Sequence, residues 1–122
     1  MKTYRDIKVW QKAMPFVTKI YKSTGLFPKE EIYGLTSQIR RSAVSIPSNI
    51  AEGFGRRSSN EFKRFLQIAM GSLFELQTQL EISKNLEFLD DSAFDDLFQD
   101  SREIERMLSA FIDAINNSNS EN

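Results

Sequence analysis

The chain has 122 residues, 40% of them hydrophobic and 27% charged, and a formal net charge of −1, the composition of one ordinary soluble domain. It contains no cysteine and no histidine, which excludes disulfides, thiolate or serine–histidine catalysis and His-containing metal sites. Short uncharged runs and a charged N-terminus favour a cytoplasmic location. We therefore expect a protein that is not an enzyme and has no metal, no cofactor and no membrane partner.

The charges are divided unevenly along the chain. Residues 1–66 contain 13 Lys/Arg and 5 Asp/Glu, whereas residues 67–122 contain 3 and 12. One explanation is charge complementarity inside the fold or between subunits. The other is a basic surface that binds nucleic acid. The sequence leaves both explanations open.

Four segments show helical periodicity, and no stretch sustains the alternation typical of a strand. In the first segment, apolar residues recur at spacings of three and four over residues 7–21. Asp6 is the predicted N-cap and Gly25 the predicted C-cap of this helix. Because Pro15 lies inside the pattern, we expect a kink there or a later start of the helix.

The second helix is predicted to run from about Ile32 to Phe54. Pro47 interrupts its apolar pattern without ending it, so we expect a bend near Pro47, caused by the lost backbone hydrogen bond. Gly53 and Gly55 are then expected to end the helix.

The third helix is predicted to begin after Ser58, which has capping-box spacing to Glu61, and its apolar seam covers residues 62–80. The fourth repeats the pattern over residues 94–115. Four amphipathic helices with short connectors predict an all-α, antiparallel up-and-down four-helix bundle over residues 1–116. The polar residues 117–122 are predicted to form a disordered tail.

The stretch GFGRRS at residues 53–58 resembles a phosphate-binding loop only superficially. It lacks the preceding strand and the third glycine of a dinucleotide fingerprint, and also the Gly-Lys-Ser/Thr of a Walker loop. What remains is a set of basic residues, most of them near the predicted turn between helices two and three, that could contact nucleic-acid phosphates. These candidates are Arg40, Arg56, Arg57, Lys63 and Arg64. The alternative is a solvated bundle tip.

Polar residues also form a stripe on each of helices two and three. A hairpin that turns near residues 56–57 would place residue i opposite about residue 113 − i, so Arg41 could reach Glu75. A catalytic pair and a structural or interface network are both conceivable, and buried charges more often form networks. The predicted polar seam comprises Gln38, Arg41, Ser45, Asn49, Glu52, Ser72, Glu75 and Gln79.

Helix three carries apolar residues outside its main seam, including Phe65, Ile68, Met70 and Phe74. A helix of a simple monomeric bundle needs only one apolar stripe of about 100°. The additional apolar surface therefore suggests self-association. The alternative is that a wide stripe fills a wide core, with methionine as a filler.

The strings IKVWQKA, SIPSNIAEGFGR and EFKRFLQIAMGSLFELQTQLEIS closely resemble a bacterial four-helix-bundle family whose founding members are encoded in intervening sequences of 23S rRNA genes. Accessory proteins of diversity-generating retroelements are similar. The resemblance implies a small cytoplasmic bundle, a cyclic homopentamer and no known enzymatic activity, with RNA or a ribonucleoprotein as a partner. Matched by position, the shared motif comprises Gln38, Arg40, Arg41, Ser45, Pro47, Asn49, Glu52, Gly53, Arg56, Ser72, Glu75 and Gln79.

Two functions follow from these observations. The first is a non-enzymatic, oligomeric, RNA-associated bundle whose basic residues contact phosphates. The second is a structural or protein-interaction scaffold that binds no nucleic acid. An enzyme that uses Arg41 and Glu75 is a third and weaker hypothesis, which requires an enclosed pocket containing both residues.

Overall fold

The computed structural model describes residues 1–121, which form four α-helices joined by short connections. In chain order the helices are α1 (Lys8–Thr24), α2 (Leu35–Phe54), α3 (Ser59–Asn85) and α4 (Asp91–Glu121). A 3-10 turn at Tyr4–Asp6, called here the N-terminal turn, precedes α1, and a second one at Lys29–Glu31 precedes α2. No strand occurs within residues 1–121, and the predicted all-α four-helix bundle is confirmed.

The core lies along the predicted apolar seams of α2, α3 and α4. The predicted stripe of α1 was wrong, because Met14 and Tyr21 are exposed and α1 instead buries Val9, Ala13, Phe16 and Ile20. Five seam residues of α3 have no exposed surface, and they pack against fully buried residues of the other helices. Burial of each large apolar side chain stabilises the fold by roughly 1.5–3 kcal/mol, which makes this seam the main source of stability. The α3 residues are Leu66, Ala69, Leu73, Leu76 and Leu80.

Ion pairs between α1 and α4 account for part of the uneven charge distribution. Lys12 pairs with Glu103 at 3.1 Å, and Lys19 pairs with Asp96 and Asp100 at 2.7 and 2.6 Å. The hydrogen bonds that Lys19 donates to Asp100 and then to Asp96 raise the pKa of Lys19. Basic residues of the first half thus meet acidic residues of the second half inside the fold. The partner numbers fall along α4 as they rise along α1, so these helices run in opposite directions.

The contacts between α3 and α4 show that these two helices also run in opposite directions. The rings of Phe62 and Phe111 meet edge to face at 5.5 Å, and further along α3 Gln77 donates a hydrogen bond of 3.3 Å to Ser101. The first residues of α3 therefore lie beside the last turns of α4. This arrangement determines which charged residues share an end of the bundle.

The start of α1 differs from the prediction because Asp6 is not its N-cap. Asp6 belongs to the N-terminal turn, where Thr3 and Asp6 form a reciprocal capping box, and Ile7 occupies the N-cap position of α1. The Asp6 carboxylate accepts the backbone N–H groups of Thr3 and Lys2, which lower its pKa. A side chain engaged in this way cannot also cap α1. Gly25 is the C-cap, as predicted.

Of the two outcomes expected at Pro15, the structure excludes a later start, because α1 begins at Lys8 and continues through this exposed proline. A kink at Pro15 remains a prediction. The start of α2 departs from expectation. Ile32 lies outside α2 and is 55% exposed. The reason is the 3-10 turn before it, after which α2 starts at Leu35 and Glu31 accepts the Leu35 N–H at 3.2 Å.

The connection between α2 and α3 follows most of the predicted local signals. α2 is one continuous helix through the buried Pro47 to Phe54, and Gly55 is its C-cap. Gly53 does not end the helix as predicted, because it lies buried inside α2 against Phe62 and Phe65 of α3. A bend at Pro47 remains a prediction. Ser58 is the N-cap of α3 and its hydroxyl accepts the Glu61 N–H at 3.1 Å, which is the first half of the expected capping box.

α4 extends to Glu121 and so runs through residues 117–121, for which the sequence predicts a disordered tail. Asn122 lies outside the described residues, and the division into a bundle and a tail remains a prediction. No helix within residues 1–121 is both long enough and apolar enough to cross a membrane.

Candidate nucleic-acid interface and polar seam

The centre of the polar seam is a small hydrogen-bonded group between α2 and α3. The hydroxyls of Ser45 and Ser72 lie 2.8 Å apart, and the Asn49 side-chain amide donates to the Ser45 carbonyl at 2.7 Å and to its hydroxyl at 2.9 Å. All three side chains are half-buried. Their short side chains satisfy one another, and the bond between Ser45 and Ser72 links the two helices in the observed register.

This register differs from the predicted one by four residues. The contact between Ser45 and Ser72 pairs positions whose numbers sum to 117, whereas the prediction used 113. Arg41 and Glu75, whose numbers sum to 116, nearly match this register, yet they form no ion pair among the described residues, and both are exposed. Arg41 lines a shallow depression with Tyr21 and Arg40 to which Glu75 does not contribute. Within the described part of the chain, this depression is therefore not the enclosed pocket that the enzyme hypothesis requires of these two residues.

The remaining seam residues do not join this group. Glu52 forms an ion pair with Arg56 at 2.8 Å, one turn further along α2. Gln79 donates to Glu75 at 3.3 Å, one turn away on α3. Gln38 is exposed. The predicted seam is therefore three separate local groups rather than one continuous network.

Gln79 is the one residue of the described chain with a buried and unpaired side-chain atom. It is 5% exposed, and its Oε1 has no hydrogen-bond partner among the described residues. Leaving a buried acceptor unpaired costs about 1–3 kcal/mol. Gln79→Met keeps the side-chain length and removes that atom, so we expect the free energy of unfolding to rise by about 1 kcal/mol. Urea unfolding measures this change, and a loss of stability would show that the amide has a partner in solution.

Four of the five predicted nucleic-acid-binding residues lie together around the α2–α3 connection. Arg56 is held by Glu52 and by the Phe65 ring, whose centre is 4.6 Å from the guanidinium carbon. Lys63 donates to Asn116 of α4 at 3.0 Å. Arg57 and Arg64 are exposed and have no partner within the described residues, so their full donor capacity faces solvent.

Arg40 is not part of this cluster. Its guanidinium donates to the Thr24 hydroxyl at 2.9 Å and to the Tyr21 carbonyl at 3.2 Å, and it lies over the Tyr21 ring. These contacts hold the end of α1 against the start of α2, at the opposite end of the bundle. We therefore assign Arg40 a structural role, which corrects its grouping with Arg56 and Arg57.

Sequence reasoning missed three cations that the fold adds to the cluster. Lys2 and Arg5 lie in or next to the N-terminal turn, and Lys8 begins α1. Lys8 lines one depression together with Phe111, which in turn contacts Phe62 at the start of α3. The signal was available in the predicted topology, because an up-and-down order places the start of α1 beside the α2–α3 connection.

The two ends of the bundle consequently differ in charge. We call segments 1–10, 50–64 and 111–118 the basic end, and they contain seven cationic and four acidic side chains. We call segments 22–38 and 81–96 the acidic end, and they contain three cationic and eight acidic side chains. Such a separation produces an electric field along the bundle that attracts polyanions to one end. Among the described residues, no group of three or more acidic side chains is arranged to hold a metal ion.

Comparisons with known proteins agree with this architecture. The family model described as 23S rRNA-intervening sequence protein matches residues 5–110. One similar crystal structure is of a protein with unknown function from the S23 ribosomal protein family of Bacteroides thetaiotaomicron VPI-5482. It is 27% identical, with a TM-score of 0.80 over 86% of this chain and 95% of that chain. No curated protein matches the sequence. Neither description names an enzymatic activity, and the chain belongs to the 23S rRNA-intervening sequence protein family.

Proposed function

We propose that this protein is a non-enzymatic, oligomeric bundle of the cytoplasm that associates with RNA through its basic end. The observation that carries the proposal is the convergence of three chain segments there, with Arg57 and Arg64 exposed and unpaired. The family description, which refers to 23S rRNA genes, is consistent with an RNA partner.

The chemistry of the basic end suits a phosphate backbone better than an acidic protein patch. Guanidinium groups form bidentate hydrogen bonds to phosphate oxygens, and each neutralised phosphate releases condensed counterions. Two of the four acidic side chains at this end are already engaged, since Glu52 is paired with Arg56 and Asp6 accepts two backbone N–H groups. The free cations therefore dominate the local field.

The test is a gel shift with a structured RNA at several salt concentrations, using Arg57→Glu/Arg64→Glu. We expect wild-type binding to weaken steeply with salt. In a plot of the logarithm of the binding constant against the logarithm of the salt concentration, each phosphate contact contributes roughly −0.7 to −0.9 to the slope. The double variant should bind at least about 100-fold more weakly at low salt, because two attractions become repulsions. Within the described chain neither side chain forms a hydrogen bond, an ion pair or a ring contact, and both are exposed, so the helicity should be retained.

Lys22→Glu/Lys29→Glu is the matched control, because it makes the same change of charge at the acidic end. We expect it to weaken binding only slightly, through the change in net charge. Equal losses in both variants would place the binding surface elsewhere. Complete absence of salt-dependent RNA binding by the wild type would instead favour the scaffold function.

The outer face of α3 supports the oligomeric part of the proposal. Ile68, Phe74 and Ile82 are each between 43% and 48% exposed, although the same helix already buries a full seam on its other side. Gly71 lies between them, and a methyl group added there would meet nothing within 4 Å. Exposed apolar side chains around a helical glycine suit close approach of a second helix. A pentamer is the assembly that the family resemblance implies.

A further inference from the structure

A groove between α1 and α2 opens at the basic end and has no role in the function proposed above. Its volume is about 560 Å³, within the range of small-ligand sites. The walls are mostly apolar, with Met14 and Val17 on α1 and Val44 and Pro47 on α2. Two hydroxyl groups, those of Thr18 and Ser48, also line it.

The end of this groove nearest the N-terminus is aromatic. Tyr4 and Trp10 both line it, and their rings meet edge to face at 5.2 Å. Arg5 lies against the same two rings, with its guanidinium carbon 5.6 and 5.7 Å from their centres. Arg5 is not among the lining residues, so it supports the aromatic pair without filling the groove.

The groove is continuous with the phosphate-binding surface proposed above. Glu52 lines it together with Tyr4 and Trp10, and the ion pair with Arg56 neutralises this carboxylate. Arg5 and Arg56 do not line the groove, but each contacts residues that do. Positive charge beside aromatic rings, here half-buried ones, is the arrangement with which proteins bind single-stranded nucleic acids.

We propose that this groove receives an unpaired nucleobase of a single-stranded RNA, stacked on Trp10 or Tyr4, while Arg5 and Arg56 contact the adjoining phosphates. The inference deepens the proposed function and rests on it, because it names the form of the nucleic acid. A base in a continuous duplex has both of its faces covered by neighbours and cannot enter such a slot. The Ser48 hydroxyl can both donate and accept a hydrogen bond, and the Thr18 hydroxyl, which donates to the Met14 carbonyl at 3.4 Å, can still accept one.

Charge complementarity is the reason for choosing a nucleic acid over an apolar protein segment. An amphipathic helix would place its apolar face in the groove and would gain nothing from two flanking guanidinium groups unless it were acidic. A phosphodiester chain supplies one negative charge beside every base. The groove also lies away from the α3 face that carries Ile68 and Phe74, so an oligomer formed through that face leaves the groove accessible.

Trp10 is the single tryptophan of the chain and therefore reports directly on this groove. We expect an unstructured single-stranded RNA to quench its fluorescence at constant salt, with saturation at the same concentration as binding measured by anisotropy. A blunt duplex RNA of equal length should bind the basic end and leave the emission unchanged. Binding of the single strand without any change in emission would overturn the groove proposal and leave the basic end intact. Absence of binding by either RNA would overturn both.

A pair of aromatic-to-leucine variants completes the test. Tyr4→Leu/Trp10→Leu should weaken single-strand binding at least about fivefold and leave duplex binding unchanged, because only base stacking is lost. Tyr33→Leu, at a tyrosine that is 96% exposed at the acidic end, is the control and should bind like the wild type. Equal losses for both RNAs would contradict stacking. Tryptophan emission that responds to protein concentration and not to RNA would assign the groove to a second copy of the chain, which also overturns the proposal.

Discussion

Gly53→Ala is expected to destabilise the bundle, although alanine is the better helix former. Gly53 is buried in α2 where this helix meets α3, and an added Cβ would lie 2.7 Å from the Phe65 Cβ and 3.0 Å from the Phe62 ring. Contacts that short force the helices apart or the rings out of their rotamers, at a cost of about 1–3 kcal/mol. The gain in helix propensity, about 0.5–1 kcal/mol, offsets only part of that cost.

Gly71→Ala provides the matched control, since the same substitution is made in the next helix. Within one chain a methyl group at Gly71 meets nothing within 4 Å, so in a protein made monomeric by Ile68→Lys/Phe74→Lys only the propensity gain remains and stability should rise by about 0.5–1 kcal/mol. Urea unfolding measures both glycine variants in that monomeric background, because association would otherwise alter the apparent stability. Stabilisation by Gly53→Ala would contradict the close approach of α2 and α3 at this position.

Ile68→Lys/Phe74→Lys is expected to abolish self-association. Each of these side chains buries apolar surface worth roughly 1.5–3 kcal/mol when it is covered, and each lysine adds a charge that must be desolvated. Together the two changes should weaken association by at least about 100-fold. Light scattering at micromolar concentration should then find a monomer, with circular dichroism confirming that the helices remain.

Leu26→Lys/Tyr33→Lys is the control for this prediction. Leu26 and Tyr33 are 87% and 96% exposed, and both lie in the connection between α1 and α2, at the other end of the bundle. We expect this variant to keep the mass of the wild type. A wild-type protein that is already monomeric at micromolar concentration would contradict the oligomeric part of the proposed function.

The helices and their core could be predicted because their signals are local. Spacings of three and four identify the buried seam of α3, and Gly25, Gly55 and Ser58 end or begin helices as their backbone chemistry predicts. The Asp6 prediction was wrong because Thr3 offered Asp6 a competing local partner. Thr3 and Asp6 are both good N-cap residues and lie three positions apart, so spacing alone does not show which of them begins a helix.

The register of α2 against α3 could not be predicted in the same way. It depends on how far the two helices slide past each other, and that is decided by the close packing of Gly53 against Phe62 and Phe65. A shift of four residues keeps the same faces together but changes every partner. The Ser45–Ser72 bond records this shift. The shift does not explain the missing contact of Arg41 with Glu75, because these two exposed residues nearly match the observed register.

The candidate interface was predicted in part. Arg56, Arg57, Lys63 and Arg64 are close in sequence and flank one turn, so their proximity needs no tertiary information. Arg40 has the same side chain as Arg56 and Arg57, but its hydrogen bond to Thr24 holds it at the opposite end of the bundle. The cations of the N-terminal turn join the cluster only through the bundle topology.

The most direct test of the central claim is to map by NMR which backbone amides shift when a single-stranded RNA is added. If the RNA binds the basic end, the largest amide chemical-shift changes should fall within residues 2–10 and 55–64, with Trp10 among them, and they should disappear at high salt. Amides at residues 25–34 and 84–91, at the acidic end, should not move. Shifts concentrated at the acidic end, or no shifts at any salt concentration, would contradict the assignment of the basic end as the RNA-binding surface.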